Sequence, residues 1–343
     1  MSRSTMVADP SLASAERDRR SAFALMAFGM LTIPIMDVIA KVLTMDGMPG
    51  TQVALARFVG QGLFTLAVLP FALAFVGGRT SPSGGQQASP VGTGSAPAEG
   101  SPFATGSALA RSAADLRGAL TWTNAARGVA LAGATACFFT GLATLPLPAS
   151  AAILFLSPLI LTLLGGLVLR ERLTVRRILL CVAGFPCVLL IVRPGLDGLG
   201  WDALYPLAAA VLFALYFLLT RMASGQGSPL SMHVIAAGSG TLVLAAWLYA
   251  VPLGPGGDPT AWPSQPSSWL ALASLGIVST VAHMAIIVAF ARASASALAP
   301  LNYLEIVSAT ILSWLVFGTL PDGWTVTGAL LIMVIGYAAT RPD

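Results

Sequence analysis

Polar side chains that can bind a charged molecule or exchange a proton lie within long apolar stretches of this sequence. Burying such a group costs free energy, so each one needs either a partner or a function. The set includes two carboxylates, an arginine, a histidine, an amide and two tyrosines. The candidates for substrate binding or coupling are Asp37, Arg57, Tyr216, His283, Asn302, Tyr303 and Glu305.

Glu305 lies well inside an apolar run, close to the polar residues Asn302 and Tyr303. An unpaired carboxylate at that depth would bind a proton, which a proton-coupling group must do. The alternative is a neutral structural carboxyl group that is hydrogen-bonded to a neighbouring helix. His283 is either a partner of Glu305 or a core histidine with satisfied hydrogen bonds, and His233 is expected at the membrane interface.

Asp37 and Lys41 are four residues apart and therefore share one face of a helix, near its predicted outer end. They either neutralise each other as an ion pair or leave Asp37 to contact a cargo or a proton at the outer mouth. Arg57 either extends to the outer interface or faces a central cavity and binds an anionic group. Arg127 is expected to extend to the cytoplasmic interface.

Tyr216 and Tyr303 lie deeper in their runs than aromatic residues of a membrane-interface belt usually do. Either they belong to that belt or they stack on a planar cargo such as a flavin or a purine.

The common catalytic patterns are missing from the sequence. It has no His-Glu-x-x-His, no phosphate-binding glycine loop with lysine and no nucleophile elbow. Two histidines leave little room for a metal site or a histidine-based triad. Cys137, Cys181 and Cys187 all fall in apolar runs and are expected to be core residues. We therefore predict no catalytic residue, no metal, no cofactor and no enzymatic activity.

The composition places these residues in a membrane protein. Hydrophobic residues make up 56% of the 343 residues and charged residues 9%, whereas soluble domains carry about a quarter charged residues. The basic residues lie between apolar runs and form no continuous face, which argues against a nucleic-acid partner. We predict an all-α integral membrane protein with ten transmembrane helices, at 23–43, 51–76, 122–145, 149–169, 175–192, 201–221, 229–251, 268–292, 295–317 and 324–340.

One unit of the sequence returns at a constant offset. Residues 149–195 contain two apolar runs with a break between them and end in Arg193-Pro194, and residues 297–343 repeat this pattern 148 positions later. Such repetition indicates an internal duplication. Five helices per half is an odd number, so the second half would insert inverted. We predict a cytoplasmic tail (1–20), a first repeat (21–195, with a flexible loop at 77–116) and a second repeat (196–343).

The distribution of Lys and Arg predicts the orientation. With the N-terminus in the cytoplasm, fourteen of these residues lie in cytoplasmic segments and two on the opposite side. This bias predicts that both termini are cytoplasmic in a multi-pass protein of the cell inner membrane.

Five motif regions, in order along the ten predicted helices, resemble the drug/metabolite transporter superfamily in its ten-helix EamA-type branch. One departure is Thr319, where many relatives carry an acidic residue. The motifs are Ala54-Leu55-Ala56-Arg57-Phe58; Ala149 to Pro158 with Leu169-Arg170-Glu171-Arg172-Leu173-Thr174; Ile191-Val192-Arg193-Pro194-Gly195; Ala214-Leu215-Tyr216 through Thr220-Arg221; and Ala299-Pro300-Leu301-Asn302-Tyr303-Leu304-Glu305 with Phe317-Gly318-Thr319-Leu320-Pro321.

This resemblance implies a secondary transporter of a small metabolite that works by alternating access. Members of the branch include importers of riboflavin and of S-adenosylmethionine, and exporters of amino-acid-derived compounds and metallophores. The expected partners are the metabolite, the lipid bilayer and, by hypothesis, protons, and the expected state is a monomer or homodimer. The rival hypotheses are a non-transporting membrane scaffold or sensor subunit, and an intramembrane enzyme with Asp37 and Glu305 as an acid pair.

Overall fold

The computed structural model describes residues 10–77, 113–168, 174–192, 200–223, 225–250, 262–293, 298, 301–302 and 304–340. Within these ranges the regular structure is helical, and no described residue lies in a β-strand. Six helical stretches are long and apolar enough to cross a membrane, and shorter apolar helices accompany them. The all-α membrane architecture that the composition predicts is therefore confirmed at this level.

The helices follow one another with short connections where the chain is described. A 3₁₀ turn at Gly200–Ala203 precedes α8. The helices are α1 (Pro10–Met45), α2 (Gly50–Gly77), α3 (113–119), α4 (Trp122–Thr144), α5 (Leu147–Leu154), α6 (Ser157–Val168), α7 (Val175–Val192), α8 (Leu204–Met222), α9 (Pro229–Ala250), α10 (Pro266–Arg292), α11 (Leu304–Phe317) and α12 (Gly323–Thr340).

Helix α1 begins earlier than expected, because residues 10–20 of the predicted polar tail are helical. Arg20 Nη2 donates to Glu16 Oε1 at 2.5 Å, one helical turn away. Such a pair supports an exposed helix.

Part of the predicted loop 77–116 is also helical, since α3 starts at residue 113. The Asp115 carboxylate accepts hydrogen bonds from the Ser228 N–H at 3.1 Å and from the Ser228 and Ser231 hydroxyl groups. Burial acts to raise the pKa of Asp115, but these hydrogen bonds outweigh it and hold the pKa below its usual value. Asp115 thereby attaches α3 to the N-terminus of α9, where a negative charge is favoured.

The predicted helix 149–169 is broken into α5 and α6. Pro158 has no N–H, and its ring conflicts with the carbonyl group of Leu154, so a continuous helix is disfavoured at this point. The N–H groups of Phe155 and Leu156 instead bond three residues back, at 3.3 and 3.1 Å. The predicted helix 295–317 is described from Leu304 as α11, and most of its first turns lie outside the described residues.

The helix packing has a recurring pattern. Helix α1 packs along α10, and α8 packs along α4; α2 packs against α9, and α7 against α12. Helix α11 lies on α1, and α6 lies on α8. These contacts enclose a common interior, so side chains from most of the helices can meet there.

Glycine allows α2 and α10 to approach closely. A Cβ atom on Gly276 would lie 2.7 Å from the Gly60 carbonyl carbon and 2.8 Å from its Cα, closer than real contacts. Small residues at such crossings let helix backbones come together in membranes.

We expect Gly276→Ala to lower the thermal unfolding midpoint of the detergent-solubilised protein, by an amount equivalent to roughly 1–3 kcal/mol of overpacking. Gly238→Ala in α9 is the matched control, since a Cβ there meets nothing within 4 Å. The control should unfold at or above the wild-type midpoint, because alanine favours a helix over glycine. Equal midpoints for the two variants would show that the α2–α10 crossing is not tight.

Candidate functional site

A cavity of about 60 Å³ lies among α1, α2, α4, α8, α10, α11 and the break between α5 and α6. We call it the central cavity. Among the predicted site residues, Tyr303 lies outside the described residues. The other six all line this cavity: Asp37, Arg57, Tyr216, His283, Asn302 and Glu305.

Arg57 is the centre of the polar wall. Its side chain is 1% exposed. Nε donates to Ser279 Oγ at 2.8 Å, Nη1 donates to the Thr135 hydroxyl, and Nη2 donates to His283 Nε2 at 3.2 Å. One guanidinium group on α2 thus connects α4 and α10. Extension of Arg57 to the outer interface is therefore wrong, and the cavity-facing alternative is the one observed.

His283 is held in one tautomer by its neighbours. Nδ1 lies 2.9 Å from the Ser279 carbonyl oxygen, which can only accept, so Nδ1 carries the hydrogen. Nε2 then offers its lone pair to Arg57, and the ring is neutral. His283 is therefore not paired with Glu305. Both of its ring nitrogens are hydrogen-bonded, to Arg57 and Ser279, and the alternative of a core histidine with satisfied hydrogen bonds is confirmed.

Asp37 faces the central cavity and is 3% exposed. Lys41 does not pair with it. The Lys41 ammonium group donates to the carbonyl oxygens of Leu142 and Leu145, at 3.0 and 2.7 Å, where it caps the C-terminus of α4. The local ion-pair hypothesis is wrong, and the Asp37 carboxylate is left on the cavity wall.

The two carboxylates of the cavity are closer than the sequence indicated. Asp37 was expected at an outer mouth and Glu305 at mid-membrane, yet both line one cavity and their charges interact. The charge of Asp37 also acts on Arg57. The cavity wall therefore combines two acidic groups with one cation.

Asn302 and Glu305 line the central cavity with side-chain oxygens that a bound molecule can contact. Asn302 Oδ1 is buried and has no hydrogen-bond partner among the described residues. Glu305 is half-buried in the first turn of α11. Both side chains can accept hydrogen bonds from a bound molecule.

Aromatic rings make up much of the remaining wall. The rings of Phe213 and Phe217 stack with centroids 6.3 Å apart, and Tyr216 lies 5.2 Å from Phe217 at a tilt of 53°. Three more phenylalanines complete the aromatic surface: Phe138, Phe139 and Phe155. Such a surface suits a flat ring system.

Arg127 and His233 are buried between helices. The prediction that Arg127 extends to the cytoplasmic interface is therefore wrong, whereas the depth of His233 in the membrane stays a prediction. Arg127 is 0% exposed and His233 is 1% exposed. Arg127 Nη2 donates to the Met232 carbonyl oxygen, and its guanidinium carbon lies 5.8 Å from the centre of the Tyr216 ring. The rings of His233 and His283 are 6.2 Å apart.

Sequence reasoning missed Gln61, Thr135 and Ser279. Ser279 Oγ accepts from Arg57 and donates to Gln61 Oε1 at 2.9 Å. A signal was present, because Gln61 is four residues after Arg57 and Ser279 is four residues before His283. Polar residues at that spacing share one face of a helix.

Comparison with known proteins identifies relatives that match about three fifths of this chain. Residues 200–339 match the EamA-like transporter family. A riboflavin transporter of Rhizobium johnstonii is 31% identical over 218 residues, which cover 62% of this chain and 68% of that protein. An S-adenosylmethionine uptake transporter of Rickettsia prowazekii is 26% identical over 208 residues (60% and 67%). The pseudopaline exporter CntI of Pseudomonas aeruginosa is 26% identical over 226 residues (63% and 73%).

A crystal structure with 18% sequence identity matches this fold with a TM-score of 0.57, over 94% of this chain and 97% of that one. At that identity the match concerns the fold alone. The apolar helices around a buried polar cavity define a multi-pass membrane protein. With the relatives above, the chain belongs to the EamA-like transporter family, as the resemblance of its motifs indicated. The relatives are named as transporters, in agreement with the prediction of no enzymatic activity.

Proposed function

We propose that this protein is a secondary transporter in a cell inner membrane and that its cargo is a planar heteroaromatic metabolite, with riboflavin as the first candidate. The observation that carries the proposal is the wall of the central cavity, where five phenylalanines and Tyr216 face the same space as Arg57 and two carboxylates. Sites for small molecules combine apolar and aromatic surface with a few placed polar groups. A flavin ring can stack on the aromatic surface while its carbonyl groups and N–H face the polar wall.

A cationic adenosyl compound such as S-adenosylmethionine is the second candidate. Asp37 and Glu305 favour it, because two carboxylates against one guanidinium group suit a cargo with positive charge. The names of the relatives include both kinds of cargo.

The size of the cavity supports alternating access. About 60 Å³ is far below the roughly 300–1,000 Å³ of typical small-molecule sites. A flavin therefore fits only after the surrounding helices separate, and such movement is what alternating access requires.

The packing pattern supports two inverted five-helix repeats, at 21–195 and 196–343, with ten spans in all. In this arrangement α1, α2 and α4 of the first half correspond to α8, α9 and α10 of the second. The α1–α10 contact then corresponds to the α8–α4 contact, and the α2–α10 contact to the α9–α4 contact. Helix α12 begins and ends 148 positions after α7, at the offset of the sequence repeat. The Lys and Arg distribution supports placing both termini in the cytoplasm.

The proposal is tested by comparing a bacterial strain that expresses the chain with the same strain carrying an empty vector. The medium contains riboflavin and S-adenosylmethionine, and the metabolites of cells and medium are profiled. We expect a several-fold change in riboflavin: enrichment in the cells means import, and enrichment in the medium means export. A change in S-adenosylmethionine alone would support the second candidate. No changed metabolite, with the protein present in the membrane, would overturn the proposal and favour a scaffold.

A further inference from the structure

A second group of buried polar atoms lies outside the central cavity and has no partner among the described residues. Gln61 and Arg127 are 0% exposed, and His233 is 1% exposed. The unpartnered atoms are Gln61 Nε2, Arg127 Nε, Arg127 Nη1 and His233 Nε2. Those of Gln61 and Arg127 can only donate, and His233 Nε2 donates in one tautomer. We call these three residues the Arg127 cluster.

The orientation of the Gln61 amide follows from its neighbour. Ser279 Oγ accepts from Arg57 and therefore directs its own hydrogen to Gln61 Oε1. The NH₂ end of Gln61 is consequently the end without a partner.

Helix α9 crosses both α2 and α4 next to residues of the cluster. A Cβ on Gly62, next to Gln61, would touch Ala237 Cβ at 3.5 Å, and a Cβ on Gly128, next to Arg127, would meet the Ala236 carbonyl oxygen at 2.3 Å. Ala236 and Ala237 are one turn beyond His233. The three residues therefore lie on α2, α4 and α9 within about one helical turn of the points where α9 crosses the other two helices.

Within the described part of the chain, no close acidic group balances the charge of Arg127. No carboxylate of the described residues lies within 4.0 Å of its guanidinium group, and the charges that act on His233 are those of Arg127 and Arg57, both positive. The Tyr216 ring offsets part of the cost. An unpaired cation buried in a bilayer remains expensive. A water molecule can accept hydrogen bonds from the cluster but cannot neutralise its charge.

We infer that the Arg127 cluster binds a small monovalent anion, either a halide or the carboxylate of an organic molecule, next to the Tyr216 ring. Arg127 supplies the charge and two N–H donors, and Gln61 and His233 supply the others. This site goes beyond the proposed function, since it binds an anion whether or not the central cavity carries a flavin. Its test therefore needs no cargo and can fail independently of the transport assay.

The test is the thermal unfolding midpoint of the purified full-length protein in detergent, measured at constant ionic strength. Sodium isethionate, whose anion is bulky, is the reference salt, and sodium chloride or sodium acetate replaces it. A ligand that binds only the folded state raises the midpoint. We expect an increase of about 3 °C or more. A response to chloride identifies a halide site, and a response to acetate alone identifies a carboxylate site. The same midpoint in all three salts would overturn the inference.

Variants locate the response. Arg127→Gln should abolish it, whereas Arg117→Gln, which removes an equal charge from the exposed surface of α3, should keep it. Gln61→Glu is a second variant that tests the site even if Arg127→Gln does not fold. Its carboxylate takes the place of the anion, so this variant should be more stable than wild type in isethionate and should not respond to chloride or acetate. A wild-type response in both Arg127→Gln and Gln61→Glu would place the anion elsewhere and overturn the assignment.

Discussion

Replacing Arg57 with glutamine is expected to lower the initial rate of cargo transport at least about 30-fold. Arg57 makes three hydrogen bonds that connect α2 to α4 and α10, and charged donors contribute roughly 1.5–3 kcal/mol each. If losing these bonds raises the free-energy barrier for cargo movement by about 2 kcal/mol, the transport rate falls about 30-fold. The measurement is the initial rate of cargo movement, divided by the amount of tagged protein in the membrane.

Two further variants separate the geometry of Arg57 from its charge. Arg57→Lys keeps the charge but cannot make the three-pronged contact, so an intermediate rate is expected. Arg292→Gln removes an exposed arginine whose Nη1 donates to Ser21 Oγ at 3.0 Å, and it should transport normally. Wild-type transport by Arg57→Gln would show that this network serves packing alone.

One sequence rule located most of the candidate site. A charged or polar residue inside an apolar run requires a reason, and six residues selected by that rule line one cavity. The rule works because the cost of burial depends on depth along the run, which a sequence displays.

The partners within the site were harder to predict. Which residues meet depends on the rotation of each helix and on which helices are neighbours. Depth alone therefore left Glu305 as one of two alternatives for His283, whereas the contact between α2 and α10 places His283 against Arg57. The same limit explains the wrong prediction for Arg127. Its position near the start of α4 indicated the membrane interface, but α9 packs against α4 and covers Arg127.

The bounds of several helices could be predicted from the sequence, but the break between α5 and α6 was not predicted. The predicted bounds of α7 agree with the structure, and those of α4 and α12 agree to within one residue. The break before α6 was missed although Pro158 is visible in the sequence. Hydropathy is averaged over many residues, so a local break in an apolar run does not change it. The proline ring, by contrast, conflicts with a single carbonyl group four residues earlier. The break matters, because it exposes Phe155 and Ser157 to the central cavity.

Glu305→Gln is expected to remove the dependence of transport on external pH, under the hypothesis that Glu305 carries the coupling proton. Glutamine keeps the size and the acceptor oxygen of the side chain but cannot exchange a proton. Wild-type rates should differ several-fold between external pH 6 and pH 8, whereas the rates of the variant should be equal. The measurement is the initial rate of cargo movement across that pH range at a fixed membrane potential.

Asp37 is the competing carboxylate, because it lines the same cavity and its charge acts on Glu305. Asp37→Asn therefore belongs in the same experiment, and Asp115→Asn, outside the cavity, is the control that should keep the wild-type profile. A flat profile in Asp37→Asn with a normal profile in Glu305→Gln would assign the proton to Asp37. Flat profiles in both would indicate that the two carboxylates share it. A pH-independent wild type would exclude proton coupling and leave both carboxylates as cargo contacts.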